Sequence, residues 1–119
     1  MSKKVLVVGA SENPSRYSNK AMIKLKENNY KVFAFGNRPG EVMGIEISTK
    51  FPSHKIDTIT IYLSAKNQKQ YYKEIIALNP IRIIFNPGAE NEELYMLAQK
   101  NNIRVLNACT LVMLSIGNF

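Results

Sequence analysis

Three small residues, Gly9, Ala10 and Ser11, directly follow the apolar run Val-Leu-Val-Val at residues 5–8. Glycine permits a sharp turn, and small side chains let an anion approach the main-chain N–H groups that bind phosphate where a strand leads into a helix. The pattern therefore predicts a nucleotide-phosphate site at residues 9–11, in which Ala10 and Ser11 donate backbone hydrogen bonds. The same residues are also compatible with a simple strand-to-helix turn that binds nothing.

The residues after this turn depart from the dinucleotide fingerprint. A G-x-G-x-x-G motif placed on Gly9 requires glycines where the chain has Ser11 and Pro14. The ordinary NAD pattern is thus broken, and a longer loop at residues 12–17 can wrap around a ligand. We expect Ser18 or Asn19 to cap the following helix. The residues expected to border the ligand here are Pro14, Arg16, Tyr17 and Ser18.

A basic segment, Asn37-Arg38, lies just after the second predicted strand, residues 31–35. A dinucleotide enzyme places an acid against the ribose hydroxyls at this point. An arginine here suits a sugar phosphate instead, which is either the 3′-phosphate of CoA or the 2′-phosphate of NADP. An exposed loop arginine without a ligand is the alternative.

Residues that could catalyse a reaction are few. His54 lies alone in a Pro-Ser-His-Lys loop, where we expect it to be solvated, and the sequence contains one cysteine, Cys109. The acidic residues Glu90, Glu92 and Glu93 fall at a predicted helix start, where the helix dipole accounts for them. The sequence shows no Ser-His-Asp order and no metal-ligand cluster, so catalytic and metal residues are expected to be absent.

Alternating strand and helix patterns position these residues. Strands are predicted at residues 5–8, 31–35, 56–63, 81–85 and 102–106, and helices at 18–28, 65–78, 90–101 and from 107 onwards. Residues 44–47 are interpreted as a short excursion of the chain between the second and third predicted strands. Tyr71 and Tyr72 share a helical stripe with Ile75 and Ile76, which favours packing over base stacking. We therefore predict an α/β fold: a Rossmann-like, doubly wound parallel sheet of five strands in the order 3-2-1-4-5, with helices on both faces.

Length and composition limit the possible functions. With 119 residues and 45% hydrophobic residues, the chain is expected to form a single domain, residues 1–119. The net charge of +7 is compatible with nucleic acid, a membrane surface or a small polyanion, but the lysines are scattered and not interleaved with aromatic residues. One cysteine and no apolar signal or membrane segment favour a cytoplasmic location, with neither nucleic acid nor membrane as partner.

Several motifs in order resemble one family. They are Val-Val-Gly-Ala-Ser-Glu-Asn-Pro-Ser-Arg-Tyr-Ser at residues 7–18, Gly-Asn-Arg-Pro-Gly-Glu-Val-Met-Gly at 36–44, Ile-Phe-Asn-Pro-Gly-Ala-Glu-Asn at 84–91 and Ala-Cys-Thr-Leu-Val-Met-Leu at 108–114. Together they resemble the small CoA-binding proteins, which are similar to the N-terminal, CoA-binding domain of the succinyl-CoA synthetase alpha subunit. The resemblance covers essentially the whole chain.

This resemblance implies CoA or an acyl-CoA as the ligand. It implies that the phosphates lie at residues 9–11, that Arg38 contacts the ribose 3′-phosphate and that Ser64 borders the adenosine. The residues implied towards the pantetheine arm are Asn86, Pro87, Gly88 and Cys109. Cys109 could form a reversible mixed disulfide with CoA if its thiol pKa were lowered by a helix start capped by Asn107 or Thr110, although a buried packing role is the alternative.

A binding or regulatory module without catalysis of its own is the function that we expect. The alternatives are a small NADP-dependent oxidoreductase and a ligase fragment that acts with a partner chain. The broken glycine motif and the lack of an acid–base residue disfavour the oxidoreductase. The synthetase alpha subunit works through a phosphorylated histidine in a second domain, and the resemblance gives neither that domain nor that histidine a counterpart here. The sequence leaves enzymatic activity, the acyl group, protein partners and the oligomeric state open.

Overall fold

The computed structural model describes residues 3–119 of the chain. Strands and helices alternate along it. In chain order the elements are β1 (Lys4–Val8), α1 (Tyr17–Glu27), β2 (Lys31–Phe35), β3 (Gly40–Val42), β4 (Ile45–Ser48), β5 (Thr58–Ile61), α2 (Ala65–Gln68), a 3₁₀ turn (Lys69–Tyr71), α3 (Tyr72–Ala77), β6 (Arg82–Phe85), α4 (Glu92–Lys100), β7 (Arg104–Asn107) and α5 (Thr110–Ser115).

The strands form one 7-stranded sheet in the order β3-β4-β2-β1-β5-β6-β7. All neighbouring strands are parallel except β3, which runs antiparallel to β4 at the edge. The α/β class is therefore confirmed, but the prediction of five strands is wrong. The two additional strands form the hairpin β3–β4, and its second strand lies where the sequence indicated only an excursion.

The predicted strand order is also wrong. The run at residues 56–63 was expected beyond β2, but β5 pairs with β1, from Val5↔Thr58 to Val8↔Ile61. The place beyond β2 is taken by β4, which pairs with it at Ala34↔Ile47. β4 was missed because it is four residues long and only Ile45 and Ile47 are buried, which is a weak signal for a strand.

Both faces of the central strand β1 are buried, as expected for a doubly wound sheet. Leu6 packs on one side with side chains from α3 and α4, such as Ile75 and Leu94. Val7 packs on the other side with side chains from α1, such as Met22. Helices therefore cover both faces of the sheet. The polar loops lie at the ends of the strands.

Two predicted helix boundaries are corrected. The helix expected over residues 65–78 is interrupted, because a 3₁₀ turn at Lys69–Tyr71 separates α2 from α3. α1 begins at Tyr17, after Arg16 as its N-cap residue, and no side chain caps it. Ser18 and Asn19, the expected caps, lie inside the first turn and are buried. Within residues 3–119, no helix is long and apolar enough to cross a membrane.

Candidate functional site

A cleft of about 850 Å³ opens at the carboxyl edge of the sheet, where the loops after β1, β2, β5 and β6 meet. Its volume falls within the ~300–1,000 Å³ of typical small-molecule sites. In a sheet of this kind, ligands bind outside the carboxyl ends of the strands. The cleft is lined by Gly9, Ala10, Ser11, Glu12, Asn13, Arg16, Phe35, Gly36, Asn37, Arg38, Pro39, Ile47, Tyr62, Leu63, Ser64, Asn67, Gln70, Tyr71, Pro87 and Gly88.

Most of the residues selected from the sequence come together in this cleft. They are Gly9, Ala10, Ser11, Arg16, Asn37, Arg38, Ser64, Pro87 and Gly88. The others lie elsewhere for different reasons. Pro14 and Tyr17 are exposed on the outer side of the first loop, Ser18 and Asn86 are buried, and Cys109 is half-buried without lining the cleft.

The first loop, residues 9–16, is built by its own side chains. Ser11 Oγ accepts a hydrogen bond from Asn13 N–H at 3.0 Å, and Asn13 Oδ1 accepts one from Ser15 N–H at 3.0 Å. Asn19 Nδ2 donates to the Ser11 carbonyl at 3.0 Å, and Lys20 Nζ donates to the Pro14 carbonyl at 2.7 Å. The loop is therefore fixed to the first turn of α1 before any ligand binds.

One expected phosphate donor is already engaged. The N–H groups of Gly9 and Ala10 both donate to the Phe35 carbonyl at 2.9 Å. The expectation that Ala10 offers its backbone N–H to a phosphate is therefore wrong for this conformation. Ser11 N–H has no acceptor in the described part of the chain, so the second donor of the prediction remains available.

Two glycines allow the walls of the cleft to approach each other. Gly9 has φ +96°, a conformation that L side chains rarely adopt, and a Cβ there would lie 3.2 Å from the Leu63 backbone nitrogen. A Cβ on Gly36 would lie 2.6 Å from the Ala10 carbonyl oxygen. The loops after β1 and β2 therefore touch along their backbones, and a side chain at either glycine would push them apart.

The charges at the cleft are two arginines and one carboxylate. Arg16 and Arg38 line the cleft and are exposed, whereas Glu12 Oε2 accepts a hydrogen bond from Glu41 N–H at 2.9 Å. This bond joins the first loop to β3 across the mouth of the cleft. Because the Glu12 carboxylate is held against a backbone donor, the two guanidinium groups remain available to an anionic ligand.

A buried amide supports the floor of the cleft. Asn86 Nδ2 donates to Thr60 Oγ1 at 2.7 Å and to the Ile61 carbonyl at 2.9 Å, and Asn86 Oδ1 accepts from Thr110 N–H at 2.8 Å. Thr60 and Thr110 hydroxyls bond to each other at 2.7 Å. Asn86 therefore ties the ends of β5 and β6 to α5 and presents no free polar atom of its own to a ligand.

This network also corrects the expected start of the last helix. The N-cap residue of α5 is Cys109, and no side chain caps the helix. Thr110 is buried and its hydroxyl is engaged with Thr60, while Asn107 is exposed at the end of β7. Neither residue caps the helix, so the expected cause of a reactive thiol is missing. Ser64 does occupy the N-cap position of α2, but its side chain makes no cap bond.

Tyr62 lines the cleft, and its hydroxyl lies beneath the surface. The hydroxyl is buried, and no hydrogen bond of normal geometry pairs it within residues 3–119, although the Thr60 and Thr110 hydroxyls lie near it and bond to each other. Burial raises the pKa of Tyr62 to about 12, and the neighbouring Thr110 offsets only part of that rise. The phenol is therefore a neutral, apolar wall of the cleft at physiological pH.

Tyr62→Phe is expected to leave the free energy of unfolding at pH 7 within ~1 kcal/mol of the native value, because an unpaired hydroxyl contributes little. The folded protein holds the Tyr62 proton up to a pKa of about 12, whereas the unfolded chain releases it near 10. The native protein therefore loses stability between those pH values, and the variant lacks this loss. Urea unfolding of both proteins at pH 7 and pH 11 measures the difference. An equal pH dependence contradicts the burial of this proton.

Several lining residues were not selected from the sequence. Asn67 and Gln70 are exposed three residues apart after the tip of β5, and this polar spacing was the available signal. Tyr71 was interpreted as packing, which is correct in part. Its ring contacts Phe35 with centroids 4.9 Å apart and also lines the cleft. In the described residues, no group of three His, Cys, Asp or Glu side chains could hold a metal ion.

A protein-family model described as a CoA binding domain matches residues 3–115. No curated protein sequence matches the chain significantly. The family match nevertheless includes all four loops that form the cleft.

Solved structures share the fold. The crystal structure of an uncharacterized protein is 41% identical, covers 100% of this chain and 99% of its own, and superposes with a TM-score of 0.95. A hypothetical protein from Pyrococcus horikoshii OT3 is 25% identical, with 93% of this chain and 80% of the other covered and a TM-score of 0.84. A dinucleotide-forming acetyl-coenzyme A synthetase 1 from Ca. Korarchaeum cryptofilum, solved with phosphate and ADP, is 22% identical, with 89% and 25% covered and a TM-score of 0.73.

Proposed function

The chain belongs to the family of CoA-binding domains, and on that premise we propose that it binds CoA or an acyl-CoA in the cleft at the carboxyl edge of the sheet. This proposal rests on one observation: residues of the first loop and Arg38 line the same cleft. A phosphate-binding turn and a cation for a sugar phosphate are the two features that a ligand with a pyrophosphate and a 3′-phosphate requires.

The pyrophosphate is proposed to lie against the first loop. Ser11 N–H is unpaired within the described residues, and the first N–H groups of an α-helix lack intrahelical acceptors. α1 is 11 residues long and has no side-chain cap, so no side chain competes with an anion at the positive end of its dipole. Arg16, its N-cap residue, lines the cleft and adds a positive charge at the same end.

Arg38 is proposed to bind the ribose 3′-phosphate. It follows the end of β2, is exposed and lines the cleft, and it makes no ion pair within residues 3–119. A guanidinium binds phosphate with two parallel hydrogen bonds, and such charge-assisted bonds are about twice as strong as neutral ones. This contact distinguishes CoA from dephospho-CoA.

The rest of the ligand is proposed to follow the remaining loops. Ser64, with the end of β5, borders the adenosine, while Pro87 and Gly88 lie along the pantetheine arm. Asn86 acts beneath that arm by fixing the loop after β6 to Thr110 rather than by contacting the ligand. Because no acid–base group beyond Glu12 and the tyrosines lines the cleft, we propose a binding or regulatory module.

Two other functions make different binding predictions. A small NADP-dependent oxidoreductase would bind NADP in preference to CoA. A ligase fragment would bind CoA and act only with a partner chain, and the fold similarity to the acetyl-coenzyme A synthetase of Ca. Korarchaeum cryptofilum is compatible with this alternative. Thermal-shift titrations with CoA, dephospho-CoA, NADP and NAD separate a CoA-binding protein from an NADP-dependent oxidoreductase, because a ligand of the folded state raises the melting temperature. The largest shift is expected with CoA, and a larger shift with NADP contradicts the proposal.

Cys109 is expected to form no mixed disulfide with CoA in the folded protein. The thiol is half-buried, does not line the cleft and begins a helix of six residues without a side-chain cap. Intact-mass measurement after incubation with CoA disulfide is the test, with denatured protein as the positive control for labelling. A single CoA adduct that reductant reverses and Cys109→Ser abolishes contradicts this expectation.

A further inference from the structure

A second cavity of about 700 Å³ lies between β2 and the segment that includes β4 and the following loop. We call it the β2–β4 groove. It shares no lining residue with the cleft at the carboxyl edge. Its lining residues are Lys26, Tyr30, Lys31, Val32, Phe33, Ala34, Gly44, Ile45, Glu46, Ser48, Lys50, Phe51, Pro52, Ser53 and His54.

The groove exists because β4 pairs with only part of β2. All five residues of β2 pair with β1, but on the other side only Ala34 and Phe35 pair with β4. Lys31, Val32 and Phe33 therefore have no strand partner on the groove side. The loop after β4 returns past this gap, and Phe51 stacks on Phe35 with ring centroids 4.1 Å apart. This contact fixes one wall of the groove.

The floor of the groove is mixed polar and apolar, and its apolar part wraps around the unpaired edge of β2. Val32, Ala34 and Ile45 contribute from one face of the sheet, and Phe33 and Phe51 contribute from the other. The Phe33 ring lies 5.0 Å from the His54 ring, and Lys31 Nζ lies 5.8 Å from the Phe33 centroid. The floor can therefore bury the body of an apolar or aromatic molecule while cationic groups remain at its edge.

The rim of the groove carries unpaired positive charge. Lys26, Lys31 and Lys50 border it, against one acid, Glu46. The salt bridge of the described chain joins Lys24 to Glu27, so none of these three lysines has a carboxylate partner in residues 3–119. Lys26 Nζ donates to the Met43 carbonyl, which holds the ammonium at the edge of the groove.

We propose that the β2–β4 groove is a second ligand site, for a small monoanion with an aromatic or branched apolar body, such as an aromatic carboxylate or sulfonate. The apolar part of the floor provides the area to bury, and the three lysines provide the complementary charge. The volume is that of a small-molecule site and not of a folded partner. This site does not overlap the CoA cleft, because the two cavities have no residue in common.

The probe for this proposal is 8-anilinonaphthalene-1-sulfonate, an aromatic monoanion whose fluorescence rises on apolar burial. Saturable binding at one site is expected, with the largest amide shifts in ¹⁵N NMR spectra at Phe33, Ile45 and Ser53, and saturating CoA should not displace the probe. The double variant Lys31→Glu/Lys50→Glu reverses two rim charges and is expected to lower the affinity for the probe by about tenfold. Lys73→Glu/Lys100→Glu, on exposed positions of α3 and α4, is the matched control and should bind as the native protein does.

Four results overturn the proposal: no saturable binding, displacement of the probe by CoA, amide shifts concentrated at Gly9 and Arg38, or equal affinity in the double variant and the native protein. Lys50→Gln provides a second variant if the double variant does not fold. Lys50 is exposed in the loop after β4, so this change removes a rim charge without a structural contact. An affinity unchanged by Lys50→Gln counts against the groove as well.

Discussion

Arg38→Ala is expected to weaken the binding of CoA by about 10- to 150-fold, while the affinity for dephospho-CoA changes less than about twofold. A hydrogen bond to a charged group contributes roughly 1.5–3 kcal/mol, which corresponds to that range of affinity. We expect an effect specific to the 3′-phosphate because the proposal assigns this phosphate to Arg38, which lines the cleft at the end of β2. Isothermal titration calorimetry with both ligands measures the two affinities.

Arg104→Ala is the matched control for this experiment. Arg104 is exposed at the start of β7. It therefore lies at the amino ends of the parallel strands, whereas the cleft lies at their carboxyl ends. Its loss removes the same charge without touching the proposed site, so CoA affinity should stay near the native value. Equal losses of affinity for CoA and dephospho-CoA in Arg38→Ala would assign Arg38 to another part of the ligand.

Gly9→Val is expected to lower the free energy of unfolding by about 2–4 kcal/mol and to abolish CoA binding. Part of this loss is backbone strain, because a β-branched residue is poorly tolerated at φ +96°. The rest is crowding, since the added Cβ would lie 3.2 Å from the Leu63 backbone nitrogen and 3.3 Å from its side chain. Urea unfolding and calorimetric titration with CoA measure the two effects.

Gly117→Val separates strain from crowding. Gly117 has φ +73°, and its added Cβ would meet no atom within 4 Å. This variant should lose stability through strain but bind CoA with native affinity. Gly9→Ala provides a milder change at the site if Gly9→Val does not fold. Native CoA affinity in a folded Gly9 variant would show that the first loop is not the pyrophosphate site.

The sequence predicted the elements whose signal is local and strong. β1 is a uniformly apolar run, and the structure buries it on both faces. β2 was predicted with its observed ends, Lys31–Phe35. Asn29 follows the first helix with φ +67°, a left-handed conformation that asparagine tolerates at a helix end. The predicted alternation of strands and helices also put the turn at Gly9 and the segment Asn37-Arg38 at the carboxyl ends of strands.

The errors arose where tertiary contacts decide the outcome. The pairing of β5 with β1 depends on which strand fills the position beyond β2, and the short strand β4 gave little sign that it does. Ala10 N–H was expected to be free, but the Phe35 carbonyl from β2 accepts it. Asn86 was expected along the ligand, but its amide is used beneath the cleft to join β5, β6 and α5. No local pattern reveals these partners.

The most direct test of CoA binding in the cleft is a ¹⁵N NMR titration of the native protein with CoA. The predicted result is saturable binding with the largest amide shifts at Gly9, Ser11, Arg38 and Gly88, and little change at Phe33 and Ile45 in the β2–β4 groove. The absence of saturable shifts, or shifts confined to residues outside the cleft, would contradict the proposed function.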